Sequence, residues 1–249
     1  MTLLSPSQVI LTELAGKTSL SSGNQLDAVT TQALINFAST NPQLFVSTVN
    51  SQIFLPSFKG QSSILKVLKA LVKKQPMVLK AELPKVVDVV VRCFDPNLPK
   101  IREACFKSAM SVVHEMCPAY PMMSLYRPSA RLAVGGSDGL INIYDLKSAT
   151  RWQAIPAHSS PITALAFAHD GKTLASFSLF EKIIRVWHVT GSFFSMLGSG
   201  PRCINSFPVP GGIDDLTDAE VLHLLTLVWT DRKVLRLVAR NKLDLKFTV

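Results

Sequence analysis

IPAHSSPITALAFAHDGKTLAS, running from Ile155 to Ser176 and followed at Ile184 by IRVW, is the stretch on which the fold of this 249-residue chain turns. It lies where the apolar period has changed. Before Pro118 apolar residues repeat at helical spacing, and after it they alternate with a period of two, so residues 131–249 read as short strands cut by turns. Arg131-Leu132-Ala133-Val134, Ser137-Asp138-Gly139 and Leu140-Ile141-Asn142-Ile143-Tyr144-Asp145 form one hairpin, with Asp-Gly supplying the φ > 0 positions. The pattern then recurs in the quoted stretch. Ile141, Tyr144 and Asp145 reappear 43 residues later as Ile184, Trp187 and His188, and Leu132 reappears 42 later as Leu174. That interval is the repeat length of a four-stranded propeller blade.

The quoted residues resemble a WD repeat. His158 stands where that family's Gly-His pair places its histidine, with Ala157 in the glycine position. Asp170-Gly171 matches the turn between the first two strands, and Trp187 matches the tryptophan. The resemblance implies that His158, Ser176 and Trp187 are structural members of a buried hydrogen-bond network. Two departures imply a gap in it: the aspartate of the turn before the third strand is replaced around Phe180 and Glu181, and His188 replaces the terminal aspartate. The preceding blade keeps Asp138 and Tyr144 but has no upstream histidine between Pro118 and Arg127. A degenerate blade spans Leu225 to Val249 in one of two registers. Matching Asp231 to Asp170 puts Trp229 in a first strand, whereas matching Trp229 to Trp187 puts it in a third. The first is preferred, because three strands can then follow in order.

The N-terminal half reads as helical hairpins. Ile64, Leu65, Val67, Leu68, Leu71 and Val72 make one apolar stripe, with the intervening lysines pointing away, and Ile101, Ala104, Cys105, Ser108, Val112, Val113 and Met116 make another. Prolines punctuate the segments: Pro6 and Pro42 at first helical positions, Pro76 closing a helix, Pro96 and Pro99 at a turn. Helices are expected at about 7–15, 25–39, 42–53, 61–75, 84–94 and 98–117. Lys85 to Val91 carries five valines in seven residues and favours a strand by local propensity. Its helical neighbours decide for a helix. Short helix pairs with prolines at the turns resemble HEAT or armadillo repeats, where stacking supplies what propensity lacks.

Composition sets bounds on function. With 47% hydrophobic and 17% charged residues the chain is a folded protein, and no apolar run nears the roughly 18 residues that cross a bilayer. A membrane-spanning protein is thus excluded. The N-terminus lacks a basic region ahead of its apolar residues and does not read as a signal peptide, so a cytoplasmic location is expected. Cys93, Cys105, Cys117 and Cys203 are too sparse for a disulfide framework or a zinc site and read as reduced core residues. The net charge of +9 is spread, +5 on residues 1–118 and +4 on 119–249. Nucleic-acid binding is disfavoured, since the densest basic group, Lys66, Lys69, Lys73 and Lys74, is the polar face of one helix without stacking aromatics. That face suits acidic partners or lipid head groups.

Catalytic readings fail on spacing. Gly16-Lys17-Thr18 ends like a phosphate-binding loop, but the first glycine of that motif is Leu11 here. The glycines at 135, 136 and 139 join two strands and open no helix that would receive a phosphate. His114-Glu115 lacks the second histidine of a zinc protease, because position 118 is Pro118. His158 and His169 lie in turns with no third partner in sequence. No cofactor, metal or nucleophile is expected. Asp214, Asp215, Asp218 and Glu220 read as an exposed insertion between strands that is a candidate for docking a basic surface.

Helical repeats leading into a few terminal WD repeats, with Met196-Leu197-Gly198-Ser199, Pro201-Arg202-Cys203-Ile204 and Leu227-Val228-Trp229, resemble the C-terminal portion of the WD-repeat (beta) subunits of rabconnectin. The resemblance is strong over 131–204 and weak before 60. It implies a non-catalytic scaffold that pairs with the DmX-like alpha subunit, associates with V-ATPase subunits, and acts in vesicle acidification and Rab-linked traffic, peripheral on vesicle or endosomal membranes. The expected fold is α+β: HEAT/armadillo-like helical repeats over 1–118, then two to three WD-repeat β-propeller blades over 119–249. Propellers close with about four to eight blades, so this one is expected to be incomplete and to pair its sheets with blades from elsewhere. Three other readings stay open: a coat-type trafficking scaffold, a lipid-surface module acting through the lysine face, and a hydrolase with an unfamiliar site.

Overall fold

The computed structural model describes Glu13 and residues 24–55, 60–189, 200–211, 216–239 and 243–249. The expected helix at 7–15, the Gly16-Lys17-Thr18 tripeptide, Met196 to Ser199, and Asp214 and Asp215 lie outside the described residues, Glu13 apart. The chain divides into two compact units, Met1–Met116 with Lys147–Ala149, and Cys117–Leu146 with Thr150–Val249.

The first unit is built of α1 (Asn24–Thr40), α2 (Pro42–Gln52), α3 (Gln61–Lys74), α4 (Pro76–Lys80), α5 (Leu83–Arg92) and α6 (Pro99–Ala119, which ends in the second unit). Proline occupies the first turn of α2, α4 and α5, where its missing N–H costs nothing. Pro76 was expected only to close a helix; it also opens the short α4. In α3 all six stripe residues, Ile64, Leu65, Val67, Leu68, Leu71 and Val72, are buried. Lys73 and Lys74 sit in its last turn, where cations offset the helix dipole. The second stripe is shifted from expectation. Ile101, Cys105, Ala109, Val112, Val113 and Met116 are buried, Ala104 is exposed, and Ser108 exchanges a hydrogen bond with Ser62 at 2.8 Å.

The valine-rich segment is α5. Val86, Val87, Val89, Val90 and Val91 are buried, while Lys85, Asp88 and Arg92 recur on the exposed side at helical spacing. Each buried valine contributes roughly 1.5 kcal/mol or more, whereas a β-branched residue in a helix costs at most about 0.7 kcal/mol. Burial therefore overrides propensity.

The second unit holds three antiparallel sheets. The first is β1 (Met123–Tyr126), β2 (Arg131–Gly135), β3 (Leu140–Asp145) and β4 (Thr150–Pro156), in that order. The second is β5 (Ala164–Phe167), β6 (Thr173–Ser178), β7 (Ile183–His188) and β8 (Arg202–Pro208). The third has three strands: β9 (Leu225–Asp231), β10 (Val234–Ala239) and β11 (Leu243–Thr248). The first strands of the sheets, β1, β5 and β9, lie side by side in that order. Helices followed by such sheets fit a helical region leading into WD blades.

The second sheet is apolar on both faces. One face joins Leu165, Leu174 and Trp187 to Ala133, Ile141, Ile143 and Ile155 of the first sheet. The other joins Ala164, Phe177, Ile184 and Val186 to Leu227, Trp229, Leu235 and Leu237 of the third. The third sheet alternates instead. Its inward residues pack on that core, and Thr226, Val228, Thr230, Asp244, Lys246 and Thr248 are exposed. A sheet with one solvated face reads this way.

Two expectations are corrected here, on Cys203 and on the strands after Trp229. Asp218, expected in an exposed insertion between strands, is exposed and opens a helix, α7 (Asp218–Leu224), between β8 and β9. The Thr217 hydroxyl accepts from the Glu220 N–H, and the Glu220 carboxylate accepts from the Thr217 N–H, so a capping box sets the start. Cys93 and Cys105 are buried, but Cys203, on the outer strand β8, is exposed and is not a core residue. Trp229 lies in β9, a first strand, and two strands follow it where three were expected.

Candidate functional site

Ser176 lies on β6 and Trp187 on β7, 11 residues apart across one hairpin. The Trp187 Nε1–H donates to Ser176 Oγ at 2.9 Å, and Ser176 Oγ lies 2.8 Å from His158 Nε2. His158 sits in the β4–β5 connection, and its Nδ1 is 2.9 Å from Glu181 Oε2 in the β6–β7 turn. An ionised carboxylate only accepts, which assigns Nδ1–H as the donor to Glu181 and leaves Nε2 to accept the serine hydroxyl proton, while the serine oxygen accepts from the indole. One directional chain, tryptophan to serine to histidine to glutamate, runs through the sheet. The gap expected around Phe180 and Glu181 is filled, since a glutamate one methylene longer than aspartate completes the chain.

Glu181 also ties two loops together. Its Oε1 accepts from the Ser159 N–H at 2.5 Å, the Ser159 hydroxyl at 2.8 Å and the Ser160 N–H at 3.1 Å, and its Oε2 lies 3.1 Å from Arg185 Nη1. Arg185 in turn donates to the Ala157 carbonyl at 2.5 Å. Sequence reading passed over Arg185. The one signal for it was its place four residues after Glu181, as the sole charge between Ile184 and Val186. Phe180, beside Glu181, is 75% exposed, the most exposed large hydrophobic among the described residues.

Burial moves the His158 pKa below its ordinary 6.5, Arg185 acts in the same direction, and Glu181 opposes them. Burial alone would raise Glu181. Hydrogen bonds from His158 and from the Ser159 side chain and backbone outweigh it and hold the carboxyl at about 2. Both folded pKa values lie below the unfolded ones, so the unfolded chain binds more protons, and stability rises with pH and is lost as the pH drops. The His158 contribution is complete above 6.5 and declines below it; the Glu181 contribution declines from 4.5 towards about 2. The melting temperature is therefore expected to fall between pH 7 and pH 5, and His158→Gln is expected to flatten that interval. An unchanged slope in the variant would show that another group titrates there.

The other predicted residues are placed as follows. Asp170 Oδ1 accepts from the Lys172 and Thr173 N–H groups at 2.8 and 3.1 Å, and Gly171 adopts φ +62° in the same turn. Asp138 Oδ1 accepts from the Leu140 N–H at 3.1 Å, a local turn bond. Tyr144 pairs with Leu132 on β2 and with Arg151 on β4. Lys69 reaches Glu115 at 3.6 Å, while Lys66, Lys73 and Lys74 are exposed. Asp218 is exposed at the start of α7.

The histidines do not converge. His169 is in the β5–β6 turn and His188 pairs with Thr173, both at the end of the second sheet opposite the β6–β7 turn whose Glu181 bonds His158. Among the described residues no group of three or more His, Cys, Asp or Glu side chains is placed to hold a metal ion. No helix of the described residues is long and apolar enough to cross a membrane.

A family model described as "WD domain, G-beta repeat" matches residues 150–188, which span β4 to β7 and contain His158, Ser176, Glu181 and Trp187. A solved structure titled "Crystal Structure of Mitotic Checkpoint Complex" is similar over 46% of this chain and 31% of that chain, at 19% sequence identity and a TM-score of 0.32. A WD repeat is thus present, and such repeats act in general as protein-interaction scaffolds.

Proposed function

We propose that this chain is a non-catalytic scaffold of the kind that rabconnectin beta represents, joining the DmX-like alpha subunit to V-ATPase subunits and so supporting vesicle acidification and Rab-linked traffic. The carrying observation is the WD repeat at 150–188, whose strands β5 to β7 lie in a sheet buried on both faces and whose polar residues bond to one another. Bonds so committed hold loops in place. They leave the loop tips, Phe180 among them, free to touch a partner.

In this reading the helices of residues 1–118 are HEAT/armadillo-like repeats, and the three sheets are part of a propeller whose remaining blades come from elsewhere. Two four-stranded sheets and one of three strands support it, because about four blades or more are needed for a closed ring. Partner contact falls to Lys66, Lys73 and Lys74 on one unit and to the acidic segment of Asp214, Asp215 and Asp218 on the other. The protein is cytoplasmic and peripheral on vesicle or endosomal membranes. Co-purification of the tagged full chain with proton-pump subunits is the expected result. Depletion that leaves organelle pH unchanged, with no pump subunit recovered, would remove the proposal.

A further inference from the structure

The positive charge of the N-terminal half has one source. From Ala28 to Ala81 there is no aspartate, glutamate, histidine or arginine, while six lysines, Lys59, Lys66, Lys69, Lys73, Lys74 and Lys80, carry +6. The rest of residues 1–118 sums to −1. Four of the six lysines stand on α3. Burial of its apolar stripe turns Lys66 and Lys73 outward in one line, about 10 Å apart along the helix axis, with Lys74 next to Lys73. All three are exposed, and among the described residues no carboxylate pairs with any of them. Lys69, in the same line, is already paired with Glu115 at 3.6 Å. Three uncompensated amines on one face repel one another, and an anionic surface laid on them removes that cost.

Two features select the kind of anion. Protein interfaces are anchored by Trp, Tyr or Arg, and two-pronged capture of a carboxylate is arginine chemistry. Ala28 to Ala81 holds none of the three residue types. Lysine is a point charge on a flexible stem, which suits a diffuse negative potential that asks for no fixed geometry, as in the head-group layer of an anionic bilayer. Met77 is the second feature. It is 40% exposed on the short α4, three residues beyond Lys74. A head-group layer accommodates such a neighbour, because the apolar side chain enters the acyl boundary while the amines stay at the phosphates.

We propose that the face of α3 bearing Lys66, Lys73 and Lys74 docks on an anionic phospholipid bilayer, with Met77 as its apolar contact. The proposal rests on the scaffold reading, whose lysine contacts it names. Vesicles of phosphatidylcholine containing phosphatidylserine are expected to pellet the full chain, vesicles of phosphatidylcholine alone are not, and binding is expected to be lost between about 0.1 and 1 M salt. Lys66→Gln, Lys73→Gln and Lys74→Gln combined are expected to weaken binding roughly tenfold or more. Lys100→Gln, Lys107→Gln and Lys172→Gln remove the same charge from exposed lysines elsewhere and are expected to bind close to the parent. Met77→Ser is expected to weaken binding without changing its salt dependence. Anionic vesicles that fail to pellet the parent, equal losses in the two triple variants, or capture of the chain by poly-glutamate but not by vesicles would overturn the proposal, the last assigning the face to an acidic protein. Vesicle pelleting is read apart from pump co-purification, so a chain that recovers pump subunits yet ignores anionic vesicles removes this proposal alone, and the reverse result removes the scaffold reading alone.

Discussion

Trp187→Ala is expected to destabilise the second unit by about 3–5 kcal/mol, the range for removing a large buried aromatic side chain. Two contributions must be separated. The indole gives Ser176 one hydrogen bond of 2.9 Å, and a net hydrogen bond is worth about 1 kcal/mol. It also packs with Ile141, Leu165 and Leu174 in the core between the first and second sheets, at 8% exposure. Packing and the cavity left behind are thus the larger part. Trp187→Phe keeps most of the ring volume and loses the donor, so it is expected to cost about half as much or less. Urea unfolding followed by the fluorescence of Trp152 and Trp229, which remain in the same unit, reads both variants. Equal losses would mean that the hydrogen bond, not the packing, holds the sheets together.

The same packing explains what could be read in the chain beforehand. The 43-residue recurrence is visible because strand residues that enter the cores between sheets must repeat with the blade, and Ile184 and Trp187 do so on opposite faces of the second sheet. α5 is legible in spite of its valines because its neighbours are helices, and the structure adds that Lys85, Asp88 and Arg92 keep a helical interval on the exposed side. Glu181 is not legible. A motif written for aspartate carries no allowance for a longer carboxylate, and only geometry shows that the loop brings Oε2 to 2.9 Å from the imidazole. The segment at Asp218 is exposed between strands as its acids indicate, but its helical form is hidden, although Thr217 and Glu220 carry a capping box, because a run of acids between strands resembles a solvated loop. β1 offers only four residues and gave no alternation to count. Cys203 was placed inside on composition alone, but a fourth strand lies outermost in its sheet, and there a cysteine meets water.

The contrast between the second and third sheets limits how the second unit can grow. A further sheet laid on the outer face of the third would bury Arg236, Asp244 and Lys246, and desolvating such a group costs more than its ion pair returns unless every donor is satisfied. A blade laid there, as the proposed ring requires, must therefore bring partners for Arg236, Asp244 and Lys246.

Gly139→Ala is expected to be among the most damaging single-methyl additions in the chain, for reasons that lie in the backbone. Gly139 adopts φ +78° in the β2–β3 turn, where an L side chain costs about 1–2 kcal/mol on its own. A Cβ there would stand 1.9 Å from the His158 carbonyl oxygen and 2.7 Å from its carbon. Neither atom can swing aside as a side chain can, because the Ala157 and His158 N–H groups both donate to the Gly139 carbonyl at 3.1 Å. Relief requires the β4–β5 connection to move, and with it His158, Ser159 and the bonds to Glu181. Strain, lost hydrogen bonds and an exposed sheet joint together are expected to exceed about 3 kcal/mol. Two other glycines calibrate the effect. At Gly136 the clash is with the Asp138 carboxylate at 2.2 Å, a side chain that can rotate, and at Gly200 nothing lies within 4 Å. Thermal unfolding is expected to rank Gly139→Ala far below Gly136→Ala, with Gly200→Ala near the parent, and the Gly139 variant should also lose the pH 7 to 5 slope that His158 confers. A Gly139→Ala protein within about 1 kcal/mol of the parent, below the cost of the φ angle alone, would mean that the turn does not dock on the His158 loop.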